Sequence, residues 1–136
     1  GDPARLPQKA PKKARKKQQL TLALLQDSEG RWLLQKRSGP GVLAGLWQPP
    51  VLAEETLTPA LALEEAQKLV PGAALLPEKP IPAKHIFTHL EWHMTNYLFT
   101  APVQPAPAGC VWVSREQLAE EYTLPGAFKT VRKRML

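Results

Sequence analysis

The clearest hydrophobic pattern in this chain is an alternation that runs from Lys84 to Thr100. Apolar or β-branched residues occupy every second position at Ile86, Thr88, Leu90, Trp92, Met94 and Leu98. This period of two is typical of a β-strand, because successive strand side chains point to opposite faces. A straight strand of this length would span roughly 55 Å, well beyond a usual strand. The pattern therefore predicts a hairpin that bends between Thr88 and Glu91 and presents Phe87, Thr88 and His89 at its tip.

Shorter apolar runs predict the other strands. Residues 20–26 indicate a buried strand, and the turn residues at 27–30 lead into its partner at residues 31–37. Cys110–Val113 has the content of a further strand. Residues 73–83 contain three prolines and predict only a connection.

Capping residues and apolar spacing predict the helices. Thr58 followed by Pro59 indicates a helix start, and Pro71 with Gly72 ends the same helix. Ser114 and Gln117 have the spacing of a capping box, so a second helix is predicted from Ser114 to about residue 122. A terminal helix is indicated by an apolar stripe at Phe128, Val131 and Met135. The elements together predict an α+β fold with a curved antiparallel or mixed sheet and two or three helices.

Charge divides the chain into two parts. Residues 1–19 contain seven of the 18 Lys and Arg residues but one of the 12 carboxylates, which leaves eleven of each in residues 20–136. We expect residues 1–19 to be a basic, Pro- and Lys-rich connector and residues 20–136 to be one domain. Basic residues at both ends of the chain are typical of a protein that binds a polyanion such as nucleic acid. A solvent-exposed linker and a solvent-exposed helix face would explain the same charges.

The rarer residues exclude several classes of protein. Cys110 is the sole cysteine, so neither an internal disulfide nor a thiolate metal cluster is expected. No apolar run approaches the length of a membrane span and no secretory signal core is present, so neither membrane insertion nor secretion is expected. The three histidines, at 85, 89 and 93, share a face only in an unbroken strand, so a predicted bend argues against a metal site.

Three motifs resemble the carboxy-terminal domain of adenine DNA glycosylases, the MutY family. Gly41-Val42-Leu43-Ala44-Gly45-Leu46-Trp47 is similar to the family's Gly-Leu-Leu-Ala-Gly-Leu-Trp, and Phe87-Thr88-His89 is similar to its Phe-Ser-His. The third is the segment from Trp112 to Leu118, followed by Leu124-Pro125 and a basic helix. The resemblance covers nearly the whole chain after residue 20.

The resemblance implies an α/β/α Nudix-like domain that recognises 8-oxoguanine opposite adenine in duplex DNA. The partners it implies are that DNA and an amino-terminal catalytic domain, which carries an iron–sulfur cluster and excises the adenine. We expect this fragment to hold no cofactor, to be monomeric and to be non-catalytic alone. Its location would be the bacterial cytoplasm, or the nucleus or mitochondria of a eukaryote.

The same resemblance directs attention to the hairpin tip. Oxidation turns N7 of guanine into a donor and adds a carbonyl at C8, so the Thr88 hydroxyl could accept from one and donate to the other. Phe87 could wedge beside the lesion, although a place in the strand core is the simpler reading. His89 could reach a phosphate or brace the loop. Candidate backbone-phosphate contacts, on charge alone, are Lys84, Lys129 and Arg132.

Two other functions compete with lesion recognition. A Nudix hydrolase of oxidised nucleoside triphosphates needs Arg-Glu-x-x-Glu-Glu-x-Gly on a helix, and here only Glu64 and Glu65 are in place. We therefore expect no diphosphate hydrolysis. A protein-interaction module is the third possibility, suggested by the Pro-rich loops.

Overall fold

Two long parallel strands form the centre of the fold. The computed structural model describes residues 15–136. Within them β1 (Lys16–Asp27) pairs in parallel with β7 (Leu90–Ala101) along the full 12 residues of each strand. The central residues of both strands are buried, as expected for strands that are covered on two faces.

Six shorter strands complete a mixed sheet. They are β2 (Trp32–Lys36), β3 (Trp47–Gln48), β4 (Val51–Ala53), β5 (Ala74–Leu75), β6 (Ile81–Ile86) and β8 (Cys110–Val113). On one side β1 pairs antiparallel with β2 and β4, and β2 pairs with β3 and β8. On the other side β7 pairs antiparallel with β5 and β6. The predicted hairpin is confirmed as β6 and β7.

Two of the three helices begin where their capping residues predicted. Thr58 accepts a hydrogen bond from the backbone N–H of Leu61 and precedes α1 (Pro59–Leu69). The capping box between Ser114 and Gln117 forms in both directions and opens α2 (Arg115–Glu120). A short 3-10 segment, Gly126–Phe128, leads into α3 (Lys129–Met135).

The helices cover both faces of the sheet and give three layers. One core contains Leu118 of α2 and Val131 of α3, packed with Trp92 and Met94 of β7. The other core contains Ala62 and Ala66 of α1, both fully buried against the opposite sheet face. The α+β fold with a mixed sheet and three helices is therefore as expected.

Three strand boundaries differ from the sequence-based expectation. β1 begins at Lys16, inside the stretch assigned to the connector, because its first residues pair with β7 rather than with a local partner. β5 and the start of β6 lie in the proline-containing connection at 73–83, and both pair with β7. The rest of the connector, residues 1–14, lies outside the described residues.

Candidate nucleic-acid interface

The hairpin between β6 and β7 ends in a tight bend that displays two polar residues. The backbone N–H of Phe87 donates to the carbonyl oxygen of Leu90 across 2.7 Å, which leaves Thr88 and His89 as the loop. Both of these residues are exposed. Neither has a positive φ, so the bend needs no glycine.

The tip is also fastened to β1. The backbone N–H of Lys16 donates to the carbonyl oxygen of His89 at 3.2 Å. This contact and the hairpin hydrogen bond hold the loop backbone from two sides. Thr88 is thus exposed to solvent on a loop whose backbone is held by hydrogen bonds, although the sequence around it contains no usual turn residue.

Phe87 turns back onto the sheet beneath the tip. Its ring packs edge-on against His85, with 4.7 Å between centroids, and against Trp92, at 4.9 Å. Trp92 is only 3% exposed and its ring lies 6.0 Å from that of Phe128. Phe87 is therefore partly a core residue, and its half-buried ring joins the tip to the main apolar cluster. Its role as a wedge stays a prediction.

The opposite face of the hairpin carries an ion cluster around Glu91. Arg15 Nε lies 3.1 Å from one carboxylate oxygen of Glu91, and His93 Nε2 lies 3.1 Å from the other. Hydrogen bonds from His93 and Arg15 lower the pKa of Glu91 below its ordinary value. His85 pairs across the hairpin with Trp92, whereas His93 pairs with Lys84, so the two histidines lie on opposite faces.

A cleft of about 740 Å³ opens beside the tip. Leu20 and Trp92 give it an apolar floor, and Leu90, the residue that follows the tip, lines its edge. The charged side chains along it are three cations, Lys16, Lys36 and Arg37, and one carboxylate, Glu54. The lining of the cleft therefore has a net positive charge, since its cations outnumber its one carboxylate.

Arg37 is fixed in this cleft by uncharged partners. Its Nε donates to the carbonyl oxygen of Val42 at 3.1 Å, and an Nη atom donates to Oε1 of Gln48 at 3.2 Å. The guanidinium carbon lies 4.9 Å from the centroid of the Trp92 ring. Sequence reasoning missed this residue. The available signal was the Lys36-Arg37 pair directly before the glycine-containing loop at residues 38–45.

The three cations chosen on charge alone lie away from the cleft lining. Lys84 is exposed on β6 and Lys129 is exposed at the start of α3. Arg132 is half-buried on α3, and its Nε has no hydrogen-bond partner within the described part of the chain. Their role as phosphate contacts stays a prediction.

The carboxylates of α1 do not suit a magnesium site. Glu65 forms an ion pair with Lys68 at 2.9 Å, and Glu64 is exposed on the helix surface. Two carboxylates, one of them already paired, leave most of the coordination shell of a divalent cation without protein ligands. Within residues 15–136, no group of three His, Cys, Asp or Glu residues has the geometry to hold a metal ion.

In that same range no helix has the length and apolar content to cross a membrane.

Comparisons with known proteins agree on the fold. A family model described as NUDIX domain matches residues 21–134. The C-terminal domain of mouse MUTYH, solved in complex with human PCNA, is 24% identical with a TM-score of 0.57, over 87% of this chain and 86% of that chain. A MutT Nudix hydrolase from Burkholderia pseudomallei is 20% identical with a TM-score of 0.63, over 90% of this chain and 100% of that chain. The MutT protein from Methanosarcina mazei Go1 is 19% identical with a TM-score of 0.58, over 89% and 94%.

Proposed function

This chain belongs to the Nudix domain family, and we propose that within it the chain is a DNA-repair module of the MutY type, which recognises 8-oxoguanine opposite adenine. Excision of the adenine would belong to a separate catalytic domain with its own iron–sulfur cluster. The support comes from three motifs of the sequence and from the geometry of the hairpin tip.

The exposed hydroxyl of Thr88 is the observation that carries this proposal. It stands on a bend whose backbone is braced by hydrogen bonds between Phe87 and Leu90 and between Lys16 and His89. A side chain that reads one added hydrogen must be well positioned, since hydrogen bonds weaken steeply at poor angles. The two backbone bonds hold the loop that carries the hydroxyl, which supports this role.

The chemistry of the lesion fits a hydroxyl. Oxidised guanine has an N–H at position 7 and a carbonyl at C8, and a hydroxyl can accept from the first while donating to the second. Ordinary guanine has an acceptor at N7 and no carbonyl at C8, so neither contact forms and the hydroxyl can donate only one bond, to N7. A two-point contact of this kind is worth roughly 1–3 kcal/mol of discrimination.

The residues on either side of Thr88 would contact the neighbouring base and the DNA backbone. Phe87 packs between His85 and Trp92, which makes it a support for the tip as well as a candidate for base contact. His89 is exposed next to Thr88 and would contact a phosphate of the bound strand. The positive cleft beside them would attract the DNA backbone.

The test is a titration of the chain with two fluorescent duplexes that differ only in 8-oxoguanine or guanine opposite adenine. We expect weak binding to both at low salt, with a preference for the oxidised duplex. The two affinities should fall together as salt rises, because phosphate neutralisation supplies most of the binding. Equal affinity for both duplexes at every salt concentration would refute lesion recognition.

A hydrolase of oxidised nucleoside triphosphates is the second candidate, and the similarity in fold to the MutT hydrolases favours it. The donor set of α1 weighs against it, because Glu65 is paired with Lys68 and Glu64 lies alone. Incubation with 8-oxo-dGTP and magnesium should give no diphosphate hydrolysis. Turnover that saturates with substrate would establish the hydrolase instead.

A protein partner is a further possibility, because the mouse MUTYH domain was solved bound to PCNA. For this chain, protein binding and lesion recognition can be distinguished by experiment. A protein-binding surface would be indifferent to the oxidised base and to substitution of Thr88. The duplex titration therefore distinguishes the two functions without a candidate partner in hand.

A further inference from the structure

Arg37 carries a charge that no carboxylate in the described part of the chain neutralises. Its hydrogen-bond partners are the carbonyl oxygen of Val42 and the side-chain amide of Gln48, and its flat face lies over Trp92. The salt bridges of residues 15–136 do not include it. Arg37 is half-buried, whereas Gln48 is 2% exposed.

The positive charge of the Arg37 guanidinium therefore lacks a paired anion. Moving a cation partly out of water costs free energy, and proteins usually recover that cost with a paired anion. Neutral acceptors and an aromatic face orient the guanidinium but leave its net charge in place. The two bonds and the ring contact also fix the plane of the group, so little side-chain freedom remains to be lost when an anion binds.

Two further cations line the same cleft. Lys16 and Lys36 extend its positive lining, and neither has a carboxylate partner in the part of the chain that the structure describes. Lys16 is the residue whose N–H bonds to His89 at the hairpin tip. A guanidinium binds phosphate through bidentate hydrogen bonds, and lysine ammonium groups bind it as point charges.

We propose that this cleft binds a backbone phosphate of the DNA strand, with Arg37 as the central contact and Lys16 and Lys36 as flanking charges. The inference rests on the proposed function and deepens it, because it adds a site that binds the DNA backbone to the site at Thr88 that recognises the oxidised base. Phosphate contacts position a protein on the duplex without reading sequence. Arg37 therefore contributes equally to binding of oxidised and ordinary duplex.

The first experiment compares Arg37→Gln with Lys79→Gln by fluorescence anisotropy on both duplexes. Lys79 is exposed and does not line the cleft, so its substitution removes the same charge elsewhere. Arg37→Gln should weaken binding about tenfold for both duplexes and lower the slope of log affinity against log salt by about 1. An effect no larger than that of Lys79→Gln would overturn the proposal.

Gln48→Glu tests the same site without removing Arg37. The change is isosteric and places a carboxylate where Oε1 of Gln48 now lies, 3.2 Å from the guanidinium. It should weaken duplex binding while urea denaturation shows a free energy of unfolding no lower than that of the parent chain. A folded Gln48→Glu protein with unchanged duplex affinity would refute an anion site at Arg37.

A free nucleotide could supply the same phosphate chemistry, so competition distinguishes the sources. Pyrophosphate and deoxyguanosine triphosphate are added with EDTA at constant ionic strength. Both should displace the duplex only far above micromolar concentration, as weak competitors for one phosphate contact. Displacement by micromolar nucleotide would overturn the assignment to the DNA backbone.

The two proposals can fail separately. If lesion preference is absent but Arg37→Gln weakens both duplexes, the phosphate site stands and lesion recognition falls. If preference is present and Arg37→Gln binds like the parent, lesion recognition stands and the phosphate site falls.

Discussion

The backbone N–H of Lys16 donates a hydrogen bond to the carbonyl oxygen of His89, 3.2 Å away, and so joins the start of β1 to the tip of the β6–β7 hairpin. The first residues of β1 are exposed and contribute little to the core. Their structural role is to pair with β7 directly behind the proposed reading loop.

Removal of residues 1–19 should destabilise the domain more than removal of residues 1–14. The longer deletion takes away the pairing of Lys16–Gln19 with Leu90–His93 and the contact to His89. Urea denaturation of the two truncated chains measures the difference in unfolding free energy. Equal midpoints would show that this part of β1 is dispensable.

Thr88→Val should abolish the preference for 8-oxoguanine at a cost of roughly 1–3 kcal/mol in discrimination. Valine keeps the β-branched shape and removes the hydroxyl, so the loop conformation should survive. Thr88→Ser is the matched control, because it keeps the hydroxyl and removes the methyl group. Anisotropy titrations on the two duplexes give the ratio, and a Thr88→Val ratio equal to that of the parent would exclude the hydroxyl as the reader.

Glu91→Gln should lower stability near neutral pH and have a diminishing effect in acid. The hydrogen bonds of His93 and Arg15 hold the pKa of Glu91 below its ordinary value of 4.5. A carboxylate with a lowered pKa stabilises the folded state above its ordinary pKa, and this contribution is lost as the pH falls through the lowered pKa.

The measurement for Glu91 is a series of urea denaturations from neutral pH to below 4.5. Glu120→Gln serves as the control, since Glu120 is exposed and forms no ion pair with another described residue. A Glu91→Gln effect that does not change with pH would show that the charge cluster adds no stability.

Ser114→Ala should destabilise the domain by about 0.5–2 kcal/mol. The substitution removes the acceptor for the backbone N–H of Gln117, 3.1 Å from the Ser114 hydroxyl oxygen. Thr130→Ala, at an exposed position inside α3, is the control and should be nearly neutral. Thermal denaturation compares the two, and the 8-oxoguanine preference should be unchanged in both.

Local signals predicted the helices and the hairpin well. Thr58 and Ser114 each place a side-chain acceptor at a helix start, and that chemistry depends only on residues three positions away. The alternation around Trp92 predicted the strand pair because strand faces repeat with a period of two. These features need no knowledge of distant residues.

Features that depend on distant pairing were missed. The parallel match of β1 with β7 leaves no mark in either sequence, so the entry of Lys16 into the strand was not anticipated. The cleft was missed for the same reason, because Arg37, Gln48 and Trp92 meet only in three dimensions. The cations chosen by charge alone, Lys84, Lys129 and Arg132, do not line this cleft, and their role as phosphate contacts stays a prediction.

The parallel pairing of β1 with β7 also governs how this domain reaches its folded state. At the end where the two strands begin, Arg15 and Glu91 are 76 positions apart in sequence. Contacts of such high separation slow folding, because closing the long loop between them costs conformational entropy before the contacts contribute. During synthesis the edge of β1 that pairs with β7 therefore stays unpaired until most of the chain has left the ribosome. Early pausing or truncation should leave a species prone to aggregation.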